Sequence, residues 1–190
     1  MKSTSLSLAL AVAACGSSSS TPQVDASLID SPVVAGFIVT SPAFAEGGAI
    51  PIANTCKGAN TSPELTWTGA PAGTMSFAVV FTDLSLSPHL VHTVIYDIPA
   101  TVTGLPAAVA NTYEPANLPG AHQTTGYDDT TRGYLGPCPP SVHNYELAVY
   151  PLLAAQLPGA TMTTTRADAV ATITAHALAA PARLTGHFGP

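Results

Sequence analysis

Apolar residues along this chain gather in short runs and seldom fall at helical spacing. Segments 37–40, 65–67, 76–82, 92–97 and 144–150 are rich in β-branched and aromatic residues and bounded by Pro, Gly, Asn or Asp, the pattern of strands. Together they predict a mostly β fold built as an antiparallel sheet system. Segment 76–82 is apolar at almost every position, as a central strand covered on both faces would be. Segment 144–150 instead alternates Tyr145, Leu147 and Val149 with Asn144, Glu146 and Ala148, which predicts one wet face. A single helix is predicted over 166–179, capped by Thr165, striped by Val170, Ile173 and Ala177, and stopped by Pro181. Between 104 and 136 lies a Pro-, Gly-, Asn- and Thr-rich stretch without period, which reads as a functional loop. Composition agrees: 18 Pro and 15 Gly make long helices improbable, and 46% hydrophobic with 8% charged residues excludes a disordered chain.

The first residues follow another pattern. Lys2 precedes an apolar run over 6–14, far shorter than the ~20 residues a spanning helix needs, so it reads as an export signal. Val12-Ala13-Ala14-Cys15 resembles the lipobox of bacterial lipoprotein signal peptides. That resemblance implies cleavage before Cys15 and acylation of its thiol and new amino group. An ordinary secretory signal with Cys15 incidental is the other reading. Gly16, four serines and Thr21-Pro22-Gln23 form a polar tether. The expected organisation is a lipoprotein signal peptide over 1–14, a Ser/Pro-rich tether over 15–33 and a folded domain over 34–190. The protein would be exported and lipid-anchored in the bacterial cell envelope, on the periplasmic side or at the outer membrane.

Charge narrows the partners. Five Lys and Arg stand against 11 Asp and Glu, a net charge of -6 with no basic run, so binding to nucleic acid phosphates has no electrostatic footprint. Loss of the signal removes Lys2 and leaves no polybasic patch. Membrane attachment would therefore come from lipid on Cys15. Cys56 and Cys138 either close a large loop as a disulfide or sit as two separate buried thiols. Neither C-x-x-C nor a Cys/His zinc pattern is present, so no metal and no cofactor is expected.

Polar groups with chemical potential fall at strand ends: Asp83, His92, His122 in the long loop, the turn Gly136-Pro137-Cys138-Pro139-Pro140, and His143 with Tyr145. Antiparallel pairing puts the end of one strand beside the start of the next, so Asp83 and His92 are expected on one rim. A carboxylate orients an imidazole and raises its pKa, and the resulting imidazolium suits an anion. His89 lies three residues before His92, but Pro88 argues against the helix that would make the pair a metal chelate. His176, beside the apolar stripe of the predicted helix, reads as a partly buried surface residue.

These residues also carry a family resemblance. Segment 55–67, TCKGANTSPELTW, the aspartate after a strand, the strand from His92 to Asp97-Ile98-Pro99-Ala100, and Tyr134-Leu135-Gly136-Pro137-Cys138-Pro139-Pro140 followed by His143-Asn144-Tyr145 resemble the phosphatidylethanolamine-binding protein family. More narrowly, they are similar to its bacterial Raf kinase inhibitor-like branch. The likeness runs in order from Phe37 to Phe188 and includes Leu184-Thr185-Gly186. It implies two antiparallel β-sheets with a C-terminal helix and a small surface pocket for phosphate-like anions or phospholipid headgroups. By position, Asp83, His92, Gly136, Pro137, Pro139, Pro140, His143 and Tyr145 would form that pocket. The family's Asp-Pro-Asp-Ala-Pro element stands here as Asp83-Leu84-Ser85-Leu86-Ser87, its His-Trp as His92-Thr93, and its His-Arg-Tyr as His143-Asn144-Tyr145. The expected protein is a non-catalytic binder. The alternative is an envelope interaction protein acting on an unknown partner through its surface, with a vestigial pocket. As an enzyme it would need Cys138 as nucleophile beside His143 and Asp83, in a turn stiffened by prolines, and a Gly-x-Ser-x-Gly elbow is lacking.

Overall fold

The strand-like runs pair into two sheets. The computed structural model describes residues 36–190; the signal, the tether and Cys15 lie outside the described residues. In chain order the elements are β1 (Ile38–Thr40), β2 (Gly48–Ala49), β3 (Leu65–Thr68), β4 (Ser76–Asp83), β5 (Leu90–Pro99), β6 (Gly104–Leu105), β7 (His122–Gln123), β8 (His143–Leu152), α1 (Arg166–His176) and β9 (Ala182–Phe188). A small sheet has the order β1-β3-β6, and a six-stranded sheet has the order β2-β9-β8-β4-β5-β7. The pairings are antiparallel except β2 with β9, which run parallel at one edge.

The continuous apolar run of β4 has a direct cause. Phe77, Val79 and Phe81 join Leu147, Val149 and Leu184 in a core shared with Val39, Leu65, Trp67 and Leu105 of the small sheet. Ala78 and Val80 face the other way, with Val94, Tyr96 and Leu152, against Ala169 and Ile173 of α1. Each large side chain so buried contributes about 1.5–3 kcal/mol. The second core also corrects the wet face predicted for β8. Asn144 is exposed, but Ala148 is buried because this side of the sheet is roofed by the helical layer.

Thr165 caps α1 through its hydroxyl, which accepts from the Asp168 amide at 3.1 Å. The helix stops at His176, three residues before the predicted end. Ala177 turns extended there and bridges Leu152, while the Leu178 amide donates to the Pro151 carbonyl. Pairing with the sheet edge thus outcompetes another helical turn, and β9 follows, so the helix is not the last element. Sequence patterning overlooked β9 because only Thr185 in it is β-branched, although Ala182, Leu184 and Phe188 are buried in strict alternation.

The 104–136 stretch is a folded loop rather than an open one. Gln123 is wholly buried, and its amide donates to the carbonyls of Ala110 at 2.7 Å and Thr112 at 2.9 Å. Arg132 and Asn111 add bonds to the carbonyls of Gln123 and Tyr134.

Candidate functional site

Register sets the site. Asp83, at the end of β4, lies opposite Tyr145 of β8 and Leu90 of β5. His92 arrives by an irregularity. Phe81 pairs with Thr93 and Thr82 with Val91, so His92 is the extra residue of a β-bulge. Regular alternation from Tyr96 and Val94 would send its ring toward the helix side. The bulge turns it to the opposite face, where it lies 5.0 Å from the Phe81 ring and 5.5 Å from the Tyr145 ring.

The result is a cup of about 170 Å³ lined by Asp83, His92, His143, Tyr145, the turn residues Cys138, Pro139 and Pro140, and by Leu86, Leu90 and Tyr127. Roughly five or six waters would fill it, below the ~300 Å³ at which drug-sized pockets begin. Tyr127, whose ring lies 4.5 Å from that of His92, and the leucines were not singled out from the sequence. Tyr127 belongs to the aperiodic loop, where no pattern marks one residue above another.

Gly136 and Pro137, expected in the pocket, stand behind it. The Gly136 amide donates to Asn60 Oδ1 at 2.8 Å, and a Cβ there would come within 2.3 Å of the Asn54 carbonyl oxygen. Pro137 offers its carbonyl to the Cys56 amide at 3.1 Å. They anchor the turn. A Cys56–Cys138 disulfide with Cα atoms 5.3 Å apart completes the anchorage, and it leaves no thiol at position 138 to act as a nucleophile.

Asp83 serves His143 rather than His92. His143 Nδ1 donates to Asp83 Oδ2 at 2.6 Å, and the other carboxylate oxygen accepts from the Ser85 amide at 2.8 Å. Burial, then the nearby Asp83 charge, pushes the Tyr145 pKa above the ordinary tyrosine value. His92 Nδ1 donates to the Leu135 carbonyl at 2.9 Å. Burial lowers the pKa of His92 below the usual imidazole value, outweighing that bond and the Asp83 charge. The expectation of an aspartate holding His92 protonated is thereby overturned, because the ring is only 3% exposed and desolvation wins. In both rings Nδ1 is occupied, and each Nε2, on a residue lining the cup, finds no partner among the described residues.

The other histidines lie elsewhere. His122 on β7 pairs through Nδ1 with Asp97 at 2.9 Å. His89 lines a neighbouring cleft, and His176 bonds back to the Thr172 carbonyl within α1.

This two-sheet fold is found in known proteins. Residues 40–189 match the family model "Phosphatidylethanolamine-binding protein", and the chain belongs to that family. Among its relatives, the Mycobacterium tuberculosis protein named "Putative lipoprotein LppC" is 35% identical over 162 residues, 83% of this chain and 74% of the relative. A UPF0098 protein of Methanothermobacter thermautotrophicus is 41% identical over 58% of this chain and 72% of its own length. Among solved structures, Escherichia coli YbcL, described as a member of the mammalian PEBP family, superposes with a TM-score of 0.74 at 33% identity. That match covers 82% of this chain and 99% of YbcL.

Proposed function

We propose that the cup binds a small phosphate-like oxyanion, free or as a phospholipid headgroup, and that the protein is a non-catalytic binder tethered to the cell envelope by lipid on Cys15. The observation that carries this reading is the paired imidazoles, each locked through Nδ1 and each keeping Nε2 free at a cavity of about 170 Å³. A neutral Nε2 accepts a hydrogen bond and a protonated one donates. A phosphate monoester, with a second pKa near ~6, can meet the rings either way, by giving its own proton or by drawing one onto the ring. Asp83 takes one donor on each carboxylate oxygen, from Ser85 and His143, so its part is to hold His143 in place. Pro139 and Pro140 supply a wall with little freedom to lose on binding.

Titration with inorganic phosphate and with phosphorylethanolamine, followed by imidazole NMR, tests the site. Shifts of the His92 and His143 ring signals are expected; rings that stay still at saturating ligand would sink the proposal. Intact-mass spectrometry tests the tether, with an acylated chain beginning at Cys15 expected. The name of the mycobacterial relative supports that part of the reading.

A further inference from the structure

Beside the cup lies a second, larger hollow of about 420 Å³, and the two share Leu90 as a wall. Its lining includes Arg132, Arg166, His89 and Asp129. The chain has only five Lys and Arg in 190 residues, so two of them in one cleft of an acidic protein is a marked concentration of positive charge.

Both guanidiniums are fixed from behind. Arg166 uses Nη1 alone to reach the Thr125 and Gly126 carbonyls and Asp129 Oδ1. Arg132 uses Nη1 on the Gln123 carbonyl at 3.0 Å, and its guanidinium carbon sits 5.6 Å from the centre of the Tyr113 ring. A guanidinium carries five N–H donors, and Nε and Nη2 of both find no partner among the described residues. Arg166 is only 16% exposed, yet its counter-ion Asp129 is 80% exposed and easily displaced. Arg132 has no carboxylate partner among the described residues. The positive field of Arg166 extends to His92, whose pKa it helps to lower.

We infer that this cleft is a second anion subsite, and that cup and cleft together take one small molecule with two anionic groups, a phosphate-like group on His92 and His143 and a carboxylate or phosphate on Arg132 and Arg166. This inference rests on the proposed function of the cup and adds the ligand's second charge. Preorganised, partly desolvated guanidiniums match such groups through paired N–H donors. Joining the two heads makes the second contact intramolecular.

The test compares methylphosphonate with alkane-α,ω-bisphosphonates of increasing spacer length, by calorimetry and by NMR of imidazole and arginine Nε–H signals, on the full chain. One spacer length is expected to bind at least about tenfold tighter than methylphosphonate and to move the Arg132 and Arg166 signals together with those of His92 and His143. R132Q is expected to bring that bisphosphonate down to the affinity of methylphosphonate. The spacer series on the unaltered protein needs no variant to fold. If the imidazoles respond to both ligands, no spacer gains affinity and the arginine signals stay put, the second subsite is refuted while the cup stands. If the arginines respond and the imidazoles do not, the reading of the cup fails and the two-headed ligand fails with it.

Discussion

Removing the Cys56–Cys138 bridge should separate stability from binding. The bond closes a loop of 82 residues. In the chain-entropy treatment, cross-linking a loop of that length restrains the unfolded chain by about 4.5 kcal/mol at 25 °C. At roughly 2–4 °C per kcal/mol for a domain of this size, C56S with C138S should lower Tm by roughly 9–18 °C. The native turn has other supports: Gly136 N–H to Asn60, Cys56 N–H to the Pro137 carbonyl, and the Tyr134 hydroxyl to the Asn54 carbonyl at 2.8 Å. Those bonds survive the substitution, so phosphate affinity measured well below Tm should change by no more than about threefold, or roughly 0.7 kcal/mol. Scanning calorimetry and phosphate titration of the double variant report the two quantities. A Tm loss under ~3 °C would refute the loop-closure argument. A complete loss of phosphate binding by a still-folded variant would refute the argument that these hydrogen bonds suffice to hold the wall once the bridge is gone.

Burial holds His92 neutral in the folded protein, whereas the unfolded chain protonates the same ring near pH ~6.5. Its contribution to stability is therefore full above that pH and is lost as pH falls toward the lowered folded value; urea titrations should show the acid slope flattened in H92Q. Phosphate should bind more tightly at pH 5.5 than at pH 8, because a hydrogen bond between His92 Nε2 and the anion needs one proton between them and the acid side supplies it on the ligand or the ring; calorimetry at pH 8 should register proton uptake. Gly136→Ala places a methyl 2.3 Å from the Asn54 carbonyl oxygen and should cost about 1–3 kcal/mol in thermal melts. Ile173→Ala, at a side chain fully buried between α1 and the sheet, should cost about 2–5 kcal/mol by denaturant unfolding and leave the imidazole shifts with phosphate unchanged.

Much of the architecture was legible along the chain. Runs such as 76–82 and 144–150 carry their strand character locally, and the uninterrupted apolar stretch of β4 already implied two covered faces. Long-range competition was not legible: α1 yields its last turn to Leu152 and Pro151, residues distant in sequence. Two-residue strands such as β7 offer no periodicity at all. At the site, residue identities pointed to Asp83, His92, His143 and the proline turn, but which imidazole the carboxylate serves is decided by the sheet. One local clue was present, since Val91, Val94 and Tyr96 pack toward the helix at spacings of three and then two, the signature of the bulge.

That bulge ties the chemistry to a count of residues. Deleting Val91 would remove this irregularity, set His92 opposite Thr82 and carry its imidazole to the far side of the sheet, among alanine, valine and isoleucine. A descendant with such a deletion would retain the fold and almost all of its letters while the hollow stood without its second base. In this lineage, spacing around position 92 is a better guide to ligand competence than the presence of a histidine there.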